Sequence, residues 1–186
     1  MRRFSQAISE GDGISVIVDV IDVAGARSAE AQGAEGIVLR RALDGIRDAT
    51  ELPILWVADG PPTDASDAAA DACVVRAHDE RAAELHRQAL DLGLDCVIRV
   101  ANEEELEEVL DRLDPDIFLL APEEANDEWE HTFDLLSSVP AGKLAIAAVS
   151  SPSRDQVVEL ERAGVDAVIV GTRDVAELVG DAPPQV

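Results

Sequence analysis

Five arginine residues stand at or just beyond the ends of apolar runs in this chain of 186 residues. A guanidinium group presents a planar fork of N–H donors that matches both oxygens of a phosphate or carboxylate. If the apolar runs are neighbouring parallel strands, their carboxyl ends meet at one edge of the sheet, and the guanidinium groups face one cavity. The pattern therefore predicts an anion site. Its arginines are Arg40, Arg41, Arg76, Arg99 and Arg173.

A glycine-containing turn near the end of the chain fits the same chemistry. In GVDAVIVGTRD, at 164–174, an apolar run leads into Gly171, Thr172 and Arg173, and a helical pattern follows. The free N–H groups at the start of a helix bind phosphate. The stretch is therefore interpreted either as a phosphate cradle or as the ordinary turn between a strand and its helix.

A second helix start lies in SSPSRD, at 150–155. Ser153 is expected to cap this helix, because a serine hydroxyl accepts a hydrogen bond from the first turn. Ser150 and Ser151 have no positioned base beside them, so a serine nucleophile is not expected. They are candidates for holding a phosphate at the helix N-terminus.

A structural interpretation of the arginines is also open. The chain contains 39 acidic residues, and charged groups confined together are usually paired. The arginines would then form a salt-bridge network with acids at neighbouring strand ends and would bind no ligand. The acids concerned are Asp19, Asp22, Asp59, Glu123 and Glu124.

The three histidines form no cluster in the sequence. His86 and His131 lie in helical patterns, and only His78, beyond an apolar run, is expected near the strand ends. No spacing typical of metal ligands occurs, so neither a metal nor a cofactor is expected. The one lysine, Lys143, precedes its strand and is expected at the opposite end of the sheet from any site.

The two cysteines are expected to be structural. Cys73 and Cys96 both lie inside apolar runs, which favours small buried hydrophobic side chains over a disulfide or a metal site. Trp56 also lies in an apolar run. We expect it in the core rather than as a stacking platform for a ligand.

Composition limits the class of protein. The apolar runs are far shorter than the roughly 20 residues of a transmembrane helix, and the N-terminus MRRFSQAISEGDG lacks the apolar core of a signal peptide, so a cytoplasmic location is expected. A formal net charge of −24 disfavours nucleic acid and anionic membranes as partners. Either adaptation to high salt or the composition of the source genome would explain such an acidic surface. The oligomeric state is open.

One local pattern recurs along the chain: a small residue, an acidic residue and an apolar run. Such a pattern is typical of a helix that ends at a C-terminal glycine and leads into a buried strand. It occurs in GAEGIVL at 33, AADACVV at 69, GLDCVIR at 93 and GVDAVIV at 164, and four further runs at 14–20, 53–58, 115–120 and 144–149 complete a set of eight candidate strands.

Helical patterns alternate with these runs eight times. They are 26–32, 43–50, 64–70, 79–93, 102–113, 127–138, 154–164 and 174–180. Continuous apolar strands indicate a parallel sheet covered on both faces, and eight units predict a compact (βα)8 TIM barrel with minimal loops. A doubly wound open sheet is the alternative. We expect one domain over 1–186, with an N-terminal segment at 1–13 and a frayed tail at 181–186.

Parts of the sequence resemble the indole-3-glycerol phosphate synthase family. LGLDCVIRVANEEELEEVL (92–110) is similar to a strand–helix segment of that family, and RDQVVELERAGVDAVIVGTRDV (154–175) is similar to its last phosphate-binding unit. A weaker similarity covers 16–22 and 33–60. The resemblance implies a TIM barrel, a phosphorylated anilino-deoxyribulose as substrate, and lysine and glutamate side chains as general acid and base.

The positions that carry acid–base chemistry in that family hold other residues here. Val57 and Ile21 stand where the resemblance implies lysines, and Arg99 stands where it implies a glutamate. Further family positions fall on Ala101, Ala121, Pro122 and Glu123, and on Ser150 and Ser151 without the expected glutamate. Only Asp19 matches a family acid.

These substitutions predict a barrel that does not catalyse the synthase reaction and that binds an anion at the carboxyl ends of its strands. The residues expected at that site are Gly171, Thr172, Arg173, Ser150, Ser151, Arg99 and Arg76. Two alternatives remain: a working carbon–carbon lyase of the synthase type, and a structural or partner-binding barrel.

Overall fold

The computed structural model describes residues 3–10, 13–121, 128–171 and 175–178. All eight predicted apolar runs form β-strands in it, and helices alternate with them along the chain. The strands are β1 Ser15–Asp19, β2 Gly36–Leu39, β3 Ile54–Trp56, β4 Ala72–Arg76, β5 Asp95–Val100, β6 Ile117–Leu120, β7 Leu144–Ala148 and β8 Ala167–Gly171.

The helices of the described ranges are short. They are α1 Arg3–Ser9, α2 Val23–Ala31, α3 Ile46–Ala49, α4 Pro62–Asp67, α5 Ala82–Asp91, α6 Glu103–Arg112, α7 Glu128–Ser138, α8 Arg154–Ala163 and α9 Val175–Leu178. Among these described helices the longest has 11 residues. None combines the length and the apolar character that crossing a bilayer requires.

The eight strands close into a parallel barrel in chain order, and β8 pairs with β1. The predicted compact TIM barrel is confirmed, and the open sheet is wrong because every strand has a partner on both sides. The connections are short, as expected: only residues 20–22 join β1 to α2, and only residues 101–102 join β5 to α6.

Successive residues of each strand face the barrel interior and the helices in turn. Ile17, Val38 and Leu55 belong to the interior cluster, which the eight strands surround. Their neighbours in sequence pack in a second cluster between the strands and the helices. Trp56 lies in this outer cluster with 7% of its surface exposed, so its expected place in the core is confirmed.

The N-terminal helix α1 closes one end of the barrel, which the sequence pattern did not predict. Phe4 and Ile8, four residues apart on this helix, are 0% and 4% exposed and pack into the interior cluster. The backbone N–H of Ser5 donates to Asp95 Oδ2 at 2.8 Å, and Ser15 Oγ donates to the Ala7 carbonyl at 3.4 Å. Because Asp95 and Ser15 begin their strands, α1 covers the N-terminal end.

Two of the acidic residues that recur just before the strands accept a hydrogen bond from the backbone of the neighbouring strand that comes earlier in the chain. Asp71 Oδ2 accepts from the N–H of Ile54 at 2.9 Å and also pairs with Arg47. In the same way, Asp166 Oδ2 accepts from the N–H of Ala145 at 2.7 Å. These carboxylates satisfy backbone donors at the N-terminal ends of β3 and β7. The repeated pattern in the sequence therefore includes a specific structural contact.

We expect Phe4→Ala to lower the free energy of unfolding by about 3–5 kcal/mol, because it leaves a cavity in the interior cluster that α1 fills. Urea unfolding measures the loss. Gln6→Ala, on the exposed side of the same helix, is the matched control and should change stability by less than about 0.5 kcal/mol. Equal small effects of the two substitutions would show that α1 does not contribute to the core.

Asp166 gives a pH-dependent prediction. Burial raises the pKa of its carboxyl group above the ordinary value, although the hydrogen bond from Ala145 acts in the opposite direction. Below the unfolded-state pKa, about 3.9, the group is protonated in both states. Above the raised folded-state pKa it is ionised in both states, and the folded state bears the cost of desolvation.

The stability of Asp166→Asn relative to the native protein should therefore increase as pH rises from the unfolded-state pKa to above the folded-state pKa. Unfolding by urea at about pH 3.5 and about pH 7 measures the difference. Asp111→Asn, which removes an exposed carboxylate, is the control for the general charge of the protein. A relative stability of Asp166→Asn that falls with rising pH would contradict the raised pKa.

Candidate functional site

At the carboxyl ends of the strands, here called the mouth, none of the described helices covers the barrel interior, in contrast to the end that α1 closes. Every second residue of a strand faces the barrel interior. Counting in twos from the buried interior residues therefore gives the last inward-facing position at the end of each strand. Val57, Ala121 and Ala148 at this level are only partly buried. A Cβ atom added to Gly171 would meet no atom of the described residues within 4 Å. The full ring is Asp19, Arg40, Val57, Arg76, Arg99, Ala121, Ala148 and Gly171.

Arg99 is the cation of this ring that has no protein partner among the described residues. It lies on β5, in register with Arg76 of β4 and Leu119 of β6, and its side chain is partly buried. No residue in the described ranges forms a hydrogen bond or an ion pair with its guanidinium group. A partly desolvated guanidinium beside apolar side chains favours an anionic partner.

Two other arginines of the mouth are paired with acids. Arg40 Nε lies 2.7 Å from Asp19 Oδ2, and Arg76 Nη2 lies 2.7 Å from Asp59 Oδ1. Arg40 is 62% exposed and Asp59 is 80% exposed, so these are surface ion pairs, worth about 0–1 kcal/mol each. The salt-bridge interpretation therefore applies to these two arginines, and either pair can open at small cost.

Arg41 and Asp22 do not join that network. Arg41 Nη2 donates to the backbone carbonyl of Ile21 at 2.9 Å. Asp22 Oδ1 accepts from the N–H of Gly25 at 2.7 Å and caps α2. Among the described residues Asp22 has no arginine partner, and its carboxylate satisfies a backbone donor at the start of that helix.

Several predicted site residues lie outside the described part of the chain. Thr172 and Arg173 follow the end of β8, and Pro122, Glu123 and Glu124 follow β6. Their contribution to the anion site stays a prediction.

The serine loop after β7 has the expected helix start. Ser153 Oγ accepts from Gln156 N–H at 3.3 Å, and Gln156 Oε1 accepts from Ser153 N–H at 2.9 Å, which confirms Ser153 as the cap of α8. Ser150 and Ser151 are exposed on the same rim as Arg99, with β6 between them. Ser151 has a φ of 44°, a left-handed conformation that turns the chain sharply into the helix.

A cleft beside the mouth contains His78. The cleft has a volume of about 350 Å³, and its polar side chains are Asp59, Arg76, His78 and Asp79. His78 Nδ1 lies 3.4 Å from Glu105 Oε1, across from the start of α6. His78 is therefore near the strand ends, as its sequence position predicts, whereas His86 and His131 lie in α5 and α7.

Glu105 is the residue of this cluster that the sequence pattern did not reveal. Its Oε2 accepts from Ala101 N–H at 2.8 Å, and Asn102 Oδ1 accepts from Glu105 N–H at 2.9 Å. These contacts hold the carboxylate that faces His78. The available signal was the spacing of Asn102 and Glu105, which predicts a capping pair at a helix start but does not indicate a nearby histidine.

The synthase-type proton-transfer groups are absent from the described mouth. Val57 faces the interior, and Ile21 is 71% exposed after β1. Asp19, the one matched acid, is paired with Arg40. Lys143 lies at the amino end of β7, where its Nζ is 2.7 Å from Asp114 Oδ1. Because the chain has no other lysine, no lysine lies at the mouth.

Part of the chain is similar in sequence to indole-3-glycerol phosphate synthase from Geobacillus sp. (strain WCH70), with 29% identity over 91 residues. The match covers 47% of this chain and 35% of the synthase, so this chain spans about a third of the length of that relative. No family model matches the chain. The similarity supports a distant relationship to the synthase and does not extend to its activity.

Solved structures place the protein in the TIM-barrel class. Thiamine phosphate pyrophosphorylase from Pyrococcus furiosus superposes with a TM-score of 0.65 at 16% identity, covering 89% of each chain. N-acetylmannosamine-6-phosphate 2-epimerase from Clostridium perfringens gives a TM-score of 0.70 at 14% identity, covering 88% of this chain and 87% of that chain.

A third neighbour is phosphoenolpyruvate phosphomutase from Streptomyces platensis subsp. rosaceus. It has a TM-score of 0.69 at 15% identity and covers 89% of this chain and 78% of that chain. At these identities the three enzymes share the barrel with this protein, and their different chemistries do not carry over.

Proposed function

We propose that this protein is a distant relative of indole-3-glycerol phosphate synthase that binds a small phosphorylated or otherwise anionic ligand at the mouth of its barrel and does not catalyse the synthase reaction. The observation that carries the proposal is Arg99. Its guanidinium group lies at the inner, carboxyl end of β5 and has no partner among the described residues.

The electrostatics of the mouth support an anion despite the charge of the whole protein. The formal net charge is −24, yet exposed charges more than about 10 Å apart are largely screened at ordinary salt. The local balance therefore decides binding. Arg99 is uncompensated among its described neighbours, whereas Arg40 and Arg76 are held only by weak surface pairs.

The same overall charge limits the class of ligand. An acidic surface repels nucleic acid and anionic membranes, so the proposed ligand is a small molecule that fits within the mouth. We propose a cytoplasmic location for the protein.

The residues at the mouth also support the loss of synthase chemistry. A positioned general acid or base contributes about 10²–10⁴-fold to a rate. Val57, Ile21 and Arg99 replace the lysine and glutamate side chains that the resemblance implies, and Lys143 is at the opposite end of the barrel. Among the described residues, no lysine or glutamate stands at the matched positions.

The second candidate function is a working synthase. The sequence similarity to the Geobacillus enzyme over 91 residues favours it, although that match covers only 35% of the enzyme. It would require proton transfer by groups other than the family's lysines, and His78, held near Glu105, is the nearest described candidate.

Phosphate should raise the melting temperature of the native protein more than chloride does at matched ionic strength. At a phosphate concentration of 100 times its dissociation constant, the gain in stability is about 2.7 kcal/mol, which corresponds to several degrees for a domain of this size. Thermal unfolding of the native protein and of Arg99→Ala measures the effect, which the substitution should abolish.

Arg87→Ala is the matched control for this experiment. It removes the same charge from an exposed position on α5, away from the mouth, and should keep the full response to phosphate. An equal response of the native protein and Arg99→Ala would reject the anion site. It would favour a structural or partner-binding barrel with a salt-bridged rim.

The protein should fail to restore growth of a tryptophan auxotroph that lacks indole-3-glycerol phosphate synthase. The physical reason is the loss of at least two proton-transfer groups, which predicts a rate lower by about 10⁴-fold or more. Purified protein assayed with the phosphorylated anilino-deoxyribulose substrate gives the same answer directly. Turnover at an ordinary enzymatic rate would establish the second candidate function instead.

A further inference from the structure

The two cysteines of the chain are direct neighbours across a strand pair. Cys73 on β4 and Cys96 on β5 are Cα partners in the parallel register. Neither forms a disulfide in the structure, and they are 2% and 4% exposed. Their expected burial is confirmed, and the structure adds a pairing that their separation of 23 positions in the sequence did not indicate.

The geometry of this pair suits a disulfide. Adjacent strands lie about 4.8 Å apart, which falls within the roughly 4.4–6.8 Å between Cα atoms that a disulfide spans. Ala72 and Val97, which precede and follow the cysteines on their strands, belong to the interior cluster. Cys73 and Cys96 therefore share the opposite, helix-facing side of the sheet, where both belong to the outer cluster.

The two sulfur atoms already interact. A hydrogen bond from Cys96 lowers the pKa of the Cys73 thiol, and burial opposes that effect less strongly. The thiolate is the nucleophilic form in disulfide exchange, so the contact favours Cys73 as the attacking sulfur and Cys96 as the resolving one.

We propose that Cys73 and Cys96 form a reversible redox pair, in which a small-molecule disulfide such as oxidised glutathione converts them into a disulfide linking β4 and β5. This site is separate from the proposed anion site. Each cysteine precedes the arginine of its strand by three positions, so the bond would join the two strands just below Arg76 and Arg99.

The exchange balances without a further reactant. The Cys73 thiolate attacks one sulfur of oxidised glutathione, forms a mixed disulfide and releases one glutathione thiolate. The Cys96 thiolate then attacks Cys73 Sγ, forms the protein disulfide and releases the second glutathione. The protein loses two hydrogens, and the glutathione disulfide is reduced to two thiols that take up the two protons.

Access to the pair depends on α5. This helix packs against both β4 and β5, on the face that carries the two sulfur atoms. Entry of glutathione requires local opening of this helix, so oxidation of the folded protein should be slower than oxidation of the unfolded chain.

The test uses the reduced, full-length protein under native conditions with oxidised glutathione. Samples are quenched in acid, alkylated in denaturant and measured by intact mass, with a parallel sample oxidised in urea to show that the reagent is active. We expect a monomeric product about 2 Da lighter than the reduced protein, with neither cysteine alkylated, that dithiothreitol converts back. Peptide mapping without reduction should show a link between Cys73 and Cys96.

The variants Cys73→Ala and Cys96→Ala assign the two steps. Cys96→Ala should stop at a mixed disulfide on Cys73, and Cys73→Ala should react more slowly. The measurement on the native protein decides the proposal even if a variant does not fold. Retention of both thiols after prolonged incubation, or a mixed disulfide that accumulates without the internal bond, would overturn it.

Discussion

The pairing of β8 with β1 is the interaction on which the rest of this molecule depends. Ser15 through Asp19 align with Ala167 through Gly171, and this register turns an open row of strands into a closed barrel. Closure removes both sheet edges and gives every strand one face toward a common interior. It also creates two ends of different character. The amino end is filled by Phe4 and Ile8 of α1, whereas at the carboxyl end Val57, Ala121 and Ala148 are only partly buried by the described residues.

The charged groups at the two ends of the barrel also differ in the contacts they make. At the amino end, Asp71 and Asp166 accept backbone hydrogen bonds, and Lys143 pairs with Asp114. At this end the charged side chains bind other groups of the protein. At the carboxyl end, Arg99 is left without a described partner in a protein that has more than twice as many acids as bases. This cation is the observation on which the proposed anion site rests.

A working synthase mouth and this mouth would share a backbone and differ in a few side chains. The barrel interior below the mouth is apolar and needs only side chains of suitable volume. In the proposed relationship to the synthase, Val57, Ile21 and Arg99 in place of two lysines and a glutamate would leave the fold intact, remove proton-transfer groups and move positive charge to the end of β5. The barrel core and the residues at the strand ends can therefore change independently. TIM-barrel enzymes with 14–16% identity to this chain accordingly share its fold and carry out different chemistries.

The sequence by itself determined the eight strands, the alternation with helices and the barrel, because continuous apolar runs and helical periodicity are local signals that close packing preserves. It also determined the cap at Ser153, the burial of Cys73 and the position of Lys143 at the amino end. Only the tertiary structure decided that α1 fills the amino end of the barrel, and that Arg40 and Arg76 are paired while Arg99 has no partner among the described residues. It also decided that Glu105 lies beside His78 and that Cys73 and Cys96 are register partners. These are contacts between side chains distant along the chain, and the strand register that sets them depends on closure of the whole sheet.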